Sequence, residues 1–386
     1  MAINYSRQLI YSSDIKKVSQ TLKSNYLTTG PQIKAFENSL KKKTNSKFAV
    51  VVNSATSALH ISCLALGLKK GDYLWTSSNS FVASANCGLY CGAKIDLIDI
   101  DLQTYNIDIQ KLEKKLILAK KKNILPKILI PVAFAGQSSD MVKIKKLSKK
   151  FKFKIVEDAS HALGAKYKNT LVGSCKYSDM AVFSFHPVKM ITTGEGGAIT
   201  TNDLNFSKKL EAFRSHGIEK NLSKKDKFNR PWLFHQNYLG YNYRMTDIQA
   251  SLGLSQIKKL NFFVKKRNKI AKIYFKALKD LPLDLPKVSD YNYSSFHLFV
   301  VLVKKNKKKI TRDKLYILLK KRGINTNIHY IPIYKHPFFK KMNFKSKNFS
   351  NNEMYFKRAL SIPLHPSMTN KDVNKVILAL KEIFDE

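Results

Sequence analysis

Between residues 48 and 213, short apolar runs alternate with segments in which apolar residues recur every three to four positions. The first pattern is typical of buried strands, and the second is typical of helices with one buried face. The predicted strands are residues 48–52, 73–76, 94–98, 128–132, 154–157, 180–185 and 198–200, and the predicted helices are 58–66, 82–91, 108–122, 140–151 and 203–213. This alternation predicts a largely parallel, doubly wound α/β sheet with a ligand site at the carboxyl ends of its strands.

Periodic patterns also flank this region. The predicted elements are a helix from Ser13, a helix around 33–40, a long helix at 257–278, a strand at 296–303 and helices at 312–321 and from residue 371. The elements after about Leu252 read as a smaller α+β unit. We therefore predict a large domain at residues 1–252 and a small domain at residues 253–386.

The composition is that of a soluble globular protein with a strongly basic surface. The chain has 386 residues, of which 44% are hydrophobic, and a formal net charge of +42. A nucleic-acid-binding protein is one interpretation of this charge, but only eight of the 69 basic residues are arginine, and the lysines are spread from end to end. Sequence-specific readers of DNA rely on arginine and on a recognisable module. We therefore expect anionic small molecules as partners, and neither nucleic acid nor a membrane.

The cysteine spacing and the length of the apolar runs bear on compartment. The four cysteines have the spacing of neither a metal site nor a disulfide framework, which fits a reduced compartment. Residues 1–14 lack the apolar core of a signal peptide, and no apolar run of the sequence is long enough to cross a bilayer. We expect a cytoplasmic protein without a metal centre.

One lysine, Lys189, differs in context from the lysine clusters elsewhere in the chain. It lies between the apolar segment 180–185 and a glycine-rich turn at 194–197. Desolvation disfavours the charged form of a lysine, and a neutral amine can attack the carbonyl of an aldehyde cofactor to form an imine. The structural alternative is a lysine whose amine simply reaches solvent at a strand end.

Further candidates for a cofactor site follow other predicted strands. Asp158 could pair with a protonated pyridine nitrogen so that the ring acts as an electron sink, and His161 could donate to a phenolic oxygen. A capping aspartate and a hydrogen-bonded core histidine are the structural alternatives. The turn at 53–57, between a strand and a helix, could bind a phosphate, although an ordinary N-cap has the same pattern. Ser184 could add a phosphate-binding hydroxyl, and Phe81 could stack on a ring or pack in the core.

Seven segments together resemble the DegT/StrS family of sugar-nucleotide aminotransferases, which use pyridoxal phosphate. The segments are residues 27–31, 54–58, 157–159, 184–197, 214–217, 242–250 and 329–332, and they are distributed over nearly the whole length of the chain. The resemblance implies the type I fold of pyridoxal-phosphate-dependent transferases, the aspartate aminotransferase fold. In that fold a large domain with a mostly parallel sheet is followed by a smaller α+β C-terminal domain.

The resemblance also implies roles for individual residues. Lys189 would be the catalytic residue and would carry the cofactor. The other implied cofactor-binding residues are Ala55, Thr56 and Ser184 at the phosphate, Phe81 against the ring, Asp158 at the pyridine nitrogen, His161 near the phenolic oxygen and Asn242 from the neighbouring subunit. A site shared between subunits requires a homodimer. Anionic substrates also call for cationic groups near the entrance, for which Arg230 and His329 are candidates.

Within the family, four segments resemble the members that act in the pseudaminic acid pathway. These segments are residues 71–77, 81–87, 89–93 and 364–369. The reaction implied is transfer of an amino group from L-glutamate to C4 of a UDP-linked 4-keto-6-deoxy-N-acetylhexosamine. The alternative is an aminotransferase for another keto-deoxy sugar, such as a bacillosamine-type UDP sugar or a dTDP or GDP sugar. A regulator or structural protein on this fold would lack the pair of Lys189 and Asp158.

Overall fold

The structure is a computed structural model that describes residues 2–219, 230 and 232–385. Its strands are β1 (Phe48–Val52), β2 (Tyr73–Ser77), β3 (Lys94–Ile98), β4 (Ile128–Ile130), β5 (Lys154–Asp158), β6 (Lys166–Tyr167), β7 (Thr170–Leu171), β8 (Met180–Ser184), β9 (Gly197–Thr201), β10 (Ile218–Glu219), β11 (His235–Gln236), β12 (Leu283–Asp284), β13 (Asn292–Tyr293), β14 (Phe299–Val303) and β15 (Ala359–Ile362). Its α-helices are α1 (Ser12–Leu22), α2 (Pro31–Thr44), α3 (Ala55–Ala65), α4 (Ala83–Tyr90), α5 (Ile109–Lys121), α6 (Met141–Phe151), α7 (Leu204–Arg214), α8 (Asp247–Lys258), α9 (Leu260–Leu278), α10 (Arg312–Lys321), α11 (Pro337–Lys340), α12 (Ser350–Arg358) and α13 (Asn370–Asp385).

A seven-stranded sheet forms the centre of the molecule, in the order β1-β9-β8-β5-β4-β2-β3. Strands β3, β2, β4, β5 and β8 are parallel, whereas β9 runs antiparallel to both β8 and β1. The predicted α/β fold with a mainly parallel sheet is therefore confirmed. All seven predicted strands are present, and their ends move by one or two residues at most.

Both faces of this sheet are covered by helices, because successive strand residues point to opposite sides. Val50 and Val52 pack with the apolar residues of α3 and α4 on one face. Val51 packs on the other face with Phe36 of α2 and Ala250 of α8. A strand that is buried on both sides reads as a continuous apolar run, which is the pattern that predicted β1.

A second core lies around an antiparallel sheet of β12, β14 and β15, against α9, α10 and α13. Ile3, near the start of the chain, joins this core and pairs with Ile324. The predicted boundary at residues 252/253 falls inside α8, and the division into two domains stays a prediction.

The predicted helix at 257–278 is wrong at its start. The helix is interrupted at Lys259, which lies between the end of α8 and the start of α9. Ile257 therefore belongs to α8. Ile257, Leu260 and Phe263 are all buried. The apolar period therefore continues across the break, and the pattern alone could not reveal it.

None of the helices formed by the described residues combines the length and the apolarity that a bilayer span needs. Within the same part of the chain, no group of three or more histidine, cysteine, aspartate or glutamate side chains is arranged to hold a metal ion.

Candidate active site

Lys189 lies in the connection between β8 and β9, at the carboxyl end of β8. Its amide donates to the carbonyl of His186 at 2.9 Å, and the preceding carbonyl, that of Val188, accepts a hydrogen bond of 3.0 Å from the hydroxyl of Ser6. Burial lowers the pKa of the Lys189 amine to about 8, and the charge of Asp158 opposes this shift. About a tenth of the amine is therefore neutral at pH 7, far more than for a lysine with the ordinary pKa, and the neutral form is the nucleophile.

Asp158 is the last residue of β5, the parallel neighbour of β8. It is only 5% exposed. Its carboxylate accepts a hydrogen bond of 2.6 Å from the hydroxyl of Ser84 and one of 3.1 Å from the amide of Ser160. The hydroxyl of Ser80 lies 2.7 Å from that of Ser84. Hydroxyl and amide donors thus hold a buried carboxylate on the strand next to the one that leads to Lys189.

His161, three residues after Asp158, is buried and contacts three separate parts of the chain. Its Nδ1 lies 3.3 Å from the amide of Ala135, and its Nε2 lies 3.1 Å from the hydroxyl of Tyr330. Its ring centroid is 4.3 Å from that of His297. Burial, followed by the nearby charges of Lys189 and His329, holds the pKa of His161 well below its usual value. The ring is therefore neutral.

Phe81 does not pack in the core, since 57% of its surface is exposed. Its ring centroid lies 6.0 Å from that of Tyr330, whose amide donates to the side-chain oxygen of Asn79 at 3.1 Å. Tyr330 therefore contacts both Phe81 and His161, and it is close enough to Asp158 for that charge to raise its pKa.

The prediction of a cationic His329 is wrong. The side chain is buried, its Nδ1 lies 2.8 Å from the hydroxyl of Ser361, and its ring packs against Tyr5. Burial and the charge of Lys189 lower the pKa of His329 to about 3. The ring is neutral because no acidic side chain among the described residues offsets the cost of burying its charge. As a neutral group it stays a substrate candidate.

The start of α3 has the geometry of a phosphate site. Ser54 caps the helix, and its hydroxyl accepts the amide of Ser57 at 3.1 Å, so the N-cap interpretation is correct for Ser54. Ala55 and Thr56, the first two helical residues, are half-buried, and neither has an intrahelical acceptor for its amide. Ser184 pairs in register with Gly197, and a Cβ on Gly197 would lie 2.6 Å from the nitrogen of Ala55. The sheet thus brings Ser184 up to the free amides of α3.

The remaining two candidates are Asn242 and Arg230. Asn242 is exposed and pairs with Ser215, and the carbonyl of the next residue, Tyr243, accepts the amide of Asn53 at 2.9 Å. Arg230 is half-buried, and its carbonyl accepts the amide of Leu233 at 3.2 Å. Residues 220–229, next to Arg230, lie outside the described part of the chain. The roles of Asn242 and Arg230 stay predictions.

Three groups at the site were not singled out from the sequence. Ser84 belongs to the segment 81–87 that supports the resemblance, but its residue type gave no reason to place it against Asp158, and Ala135 contributes only its backbone amide. Tyr330 belongs to the segment 329–332 that supports the resemblance, but its residue type gave no reason to place it against His161. Each of these contacts joins residues far apart in the chain, so only the folded structure could reveal them.

The chain belongs to the DegT/DnrJ/EryC1/StrS aminotransferase family, whose family model matches residues 8–381. It is 40% identical over 385 residues to the UDP-4-amino-4,6-dideoxy-N-acetyl-beta-L-altrosamine transaminase of Campylobacter jejuni. The matched residues cover 100% of this chain and 98% of that one.

Solved structures of aminotransferases have the same fold. PseC of Helicobacter pylori, an aminotransferase involved in the biosynthesis of pseudoaminic acid, matches with a TM-score of 0.90 and 33% identity over 100% of both chains. The PLP form of the putative sugar aminotransferase Spr1654 of Streptococcus pneumoniae matches with a TM-score of 0.89 and 27% identity over 100% of this chain and 99% of that one.

Family membership confirms several predictions. The protein is an aminotransferase with the type I fold of pyridoxal-phosphate-dependent transferases, and its cofactor is pyridoxal 5′-phosphate. The residues present fit that group. A half-buried lysine with a lowered pKa, a buried carboxylate on the adjacent strand and a helix start whose first amides have no intrahelical acceptor lie at the carboxyl ends of β8, β5 and β1.

Proposed function

We propose that this enzyme transfers an amino group from L-glutamate to C4 of the L-arabino form of a UDP-linked 4-keto-6-deoxy-N-acetylhexosamine. The product would be UDP-4-amino-4,6-dideoxy-N-acetyl-beta-L-altrosamine, an intermediate for pseudaminic acid. The similarity to the Campylobacter transaminase over the full chain supports this substrate. The observation that carries the reaction class is the desolvated Lys189 amine beside the strand that ends in Asp158.

Separate elements would hold the two ends of the cofactor. The free amides of Ala55 and Thr56 and the hydroxyl of Ser184 would bind the phosphate, where the positive end of the α3 dipole also favours an anion. Asp158, held by Ser84, would pair with the pyridine nitrogen. Phe81, exposed above this side of the sheet, would cover the ring.

When bound, pyridoxal phosphate supplies an electron sink for the carbon that carries the amino group. Lys189 would hold the cofactor at rest and, once released, would act as general base and acid. Its Nζ would remove the proton from the α-carbon of glutamate and return it at the cofactor, and would run the reverse sequence for the sugar. A pKa of about 8 suits both directions, because the amine can accept and release a proton near neutral pH.

We further propose that the active unit is a cytoplasmic homodimer in which Asn242 reaches the phosphate of the neighbouring site. Asn242 is exposed in the single chain, as a residue that acts across an interface must be.

The test is incubation of the purified enzyme with glutamate and either the L-arabino or the D-xylo form of the UDP-4-keto-6-deoxy-N-acetylhexosamine. The configuration of the amino sugar is read by NMR. We expect turnover of the L-arabino form alone, and no turnover by Lys189→Ala with either substrate. Turnover of the D-xylo form alone would reject the proposed substrate and retain the reaction, whereas substantial transamination by Lys189→Ala would reject the catalytic role of the lysine.

A further inference from the structure

The contacts of His161 determine which of its nitrogens carries the proton. The backbone amide of Ala135, 3.3 Å from Nδ1, can only donate, so Nδ1 must present a lone pair. The backbone of Ala135 has a φ of 56° within the short 3-10 turn Phe134–Gly136 and aims its N–H at the ring. The amides of Leu298 and Ser295 fix this turn by donating to the carbonyls of Ala135 and Gly136 at 3.4 and 3.0 Å.

A doubly protonated ring does not fit this environment. Burial and the charge of Lys189 disfavour a cation, and the titratable side chains that face the ring are His297, Tyr330, His329 and Lys189, none of which is an acid in its anionic form. A neutral ring carries one proton. Because Nδ1 is the acceptor, that proton is on Nε2.

The hydroxyl of Tyr330 must then act as the acceptor of this pair. Nε2–H donates to the tyrosine oxygen, 3.1 Å away, so the phenolic hydrogen of Tyr330 is not used by His161. Within residues 2–219, 230 and 232–385 this hydroxyl has no second hydrogen-bond partner. Burial and the charge of Asp158 raise the pKa of Tyr330, so its O–H stays protonated at any physiological pH.

We propose that Tyr330, oriented by His161, is a cofactor-binding residue whose O–H donates to the phenolate oxygen of pyridoxal phosphate. His161 is then a positioning residue that acts through Tyr330. The Ala135 amide sets the tautomer of His161, and the Nε2 proton of His161 occupies one lone pair of the tyrosine oxygen, which leaves the O–H of Tyr330 available to a further acceptor. The final contact rests on the function proposed above, whereas the tautomer and the direction of the hydrogen bond do not.

The first measurement needs no cofactor. Long-range ¹⁵N–¹H NMR spectra of the full chain labelled with [¹⁵N]histidine report the tautomer of each ring, and the signals of His161 are those lost in His161→Gln. We expect the Nε2–H form of His161 in the wild type and an upfield shift of its Nε2 proton in Tyr330→Phe, which removes the acceptor. An Nδ1–H tautomer, or an unshifted Nε2 proton in Tyr330→Phe, would overturn the proposal.

The second measurement is the affinity for pyridoxal 5′-phosphate, determined by absorbance titration. Loss of one hydrogen bond to an anion should weaken binding by Tyr330→Phe roughly ten- to hundredfold. Tyr274→Phe is the control, because the Tyr274 hydroxyl also makes a hydrogen bond but donates to the carbonyl of Pro363 at 2.8 Å, in the second core. Its affinity should equal that of the wild type.

The two proposals fail in different ways. If Tyr330→Phe binds the cofactor as tightly as Tyr274→Phe does, the role of Tyr330 is rejected. If the wild type binds the cofactor but aminates neither UDP sugar, the proposed substrate fails, while the tautomer and affinity results for Tyr330 stand.

Discussion

Burial sets the ionisation of the residues at the site more than their sequence neighbours do. Lys189 and His329 are both basic, yet burial brings the pKa of the first to about 8 and that of the second to about 3. Asp158 opposes the shift at Lys189, whereas no anion does so at His329. Near neutral pH, Lys189 therefore exists in both charged and neutral forms, whereas the ring of His329 is neutral.

The lowered pKa of Lys189 should be visible in its reactivity. Competitive acylation of the cofactor-free enzyme across a pH series, read by mass spectrometry of peptides, should give a midpoint near 8 for Lys189, because only the neutral amine reacts. Exposed lysines should show midpoints of reactivity at a pH of about 10.4. A midpoint for Lys189 among those of the exposed lysines would show that its amine is solvated.

Glu157, next to Asp158 in the chain, is buried on the other side of β5. Burial raises the pKa of its carboxyl to about 7, although the hydroxyl of Ser138 donates a hydrogen bond of 2.9 Å that lowers it. Between pH 4.5 and 7 the folded state binds this proton and the unfolded state does not, so the free energy of unfolding falls as pH rises. Glu157→Gln removes this dependence. Its stability relative to wild type should be greater at pH 8 than at pH 4.5 by up to about 3 kcal/mol.

Urea denaturation of both proteins at the two pH values measures this difference. The control is Glu113→Gln, since the Glu113 side chain is 45% exposed and pairs with Lys150 on the surface. Its stability relative to wild type should change by less than about 0.5 kcal/mol between the two pH values. Equal behaviour of the two variants would contradict an elevated pKa of Glu157.

Helix α8 links several elements to the turn that carries Lys189. Asp247 in its first turn accepts the amides of Gly30 and Gln32, and the side chain of Gln249 donates to the carbonyl of Glu195 at 2.9 Å. A Cβ on Gly253 would lie 2.6 Å from Phe36, so α8 lies close against α2. The segments 27–31 and 242–250 of the family resemblance therefore form one structural unit around Asp247.

Asp247→Ala should destabilise the protein more than loss of an ordinary helix cap. It leaves two amides without the carboxylate that now accepts them at 2.6 and 2.8 Å, at a fully buried position. We expect a loss of about 3 kcal/mol in the free energy of unfolding, measured with urea. Asp108→Ala is the matched control, since Asp108 also accepts two amides but caps only its own helix, α5. It should cost about 1 kcal/mol, and equal losses would mean that the link from α8 to residues 27–31 is no stronger than a local cap.

At the scale of the whole molecule, the net charge and the exposed apolar side chains have opposite effects on the proposed dimer. The net charge of +42 repels copies of the chain from one another at low salt. Even so, large apolar side chains are exposed in the segment that precedes Asn242 in the chain, among them Trp232, Phe234 and Leu239. An interface that covers them would offset the repulsion and place Asn242 at the neighbouring subunit.

Mixing two inactive variants tests the shared site. If Asn242 serves the neighbouring subunit, a heterodimer of Lys189→Ala with Asn242→Ala contains one intact site and one with both defects. Refolding the two variants together in equal amounts should restore about a quarter of the wild-type activity. If Asn242 acts within its own chain, which the bond from Asn53 to Tyr243 would permit, no heterodimer has an intact site and no activity returns. Light scattering of each variant alone should give the dimer mass.

The sequence by itself determined the class of the fold and the residues that a cofactor needs. Strand β1 is an apolar run and β3 has a buried apolar residue on each side of Asp96, and both have clear ends, so their bounds could be predicted without tertiary information. Lys189, Asp158 and the turn before α3 each follow a predicted strand, and parallel strands bring such positions to one edge of the sheet. Two-residue strands such as β6 and β12 are too short for a period and were not predicted.

The tertiary structure alone decided ionisation, orientation and the contacts between distant segments. The sequence suggests the ordinary pKa for a histidine, but burial of His329 beside Tyr5 and Ser361, together with the charge of Lys189, lowers its pKa to about 3. The Ser84 hydroxyl on Asp158 and the Ala135 amide on His161 join residues 74 and 26 positions apart. Hydrophobic periodicity reports which face of an element is buried, but desolvation and hydrogen-bond direction depend on what the fold places against that face.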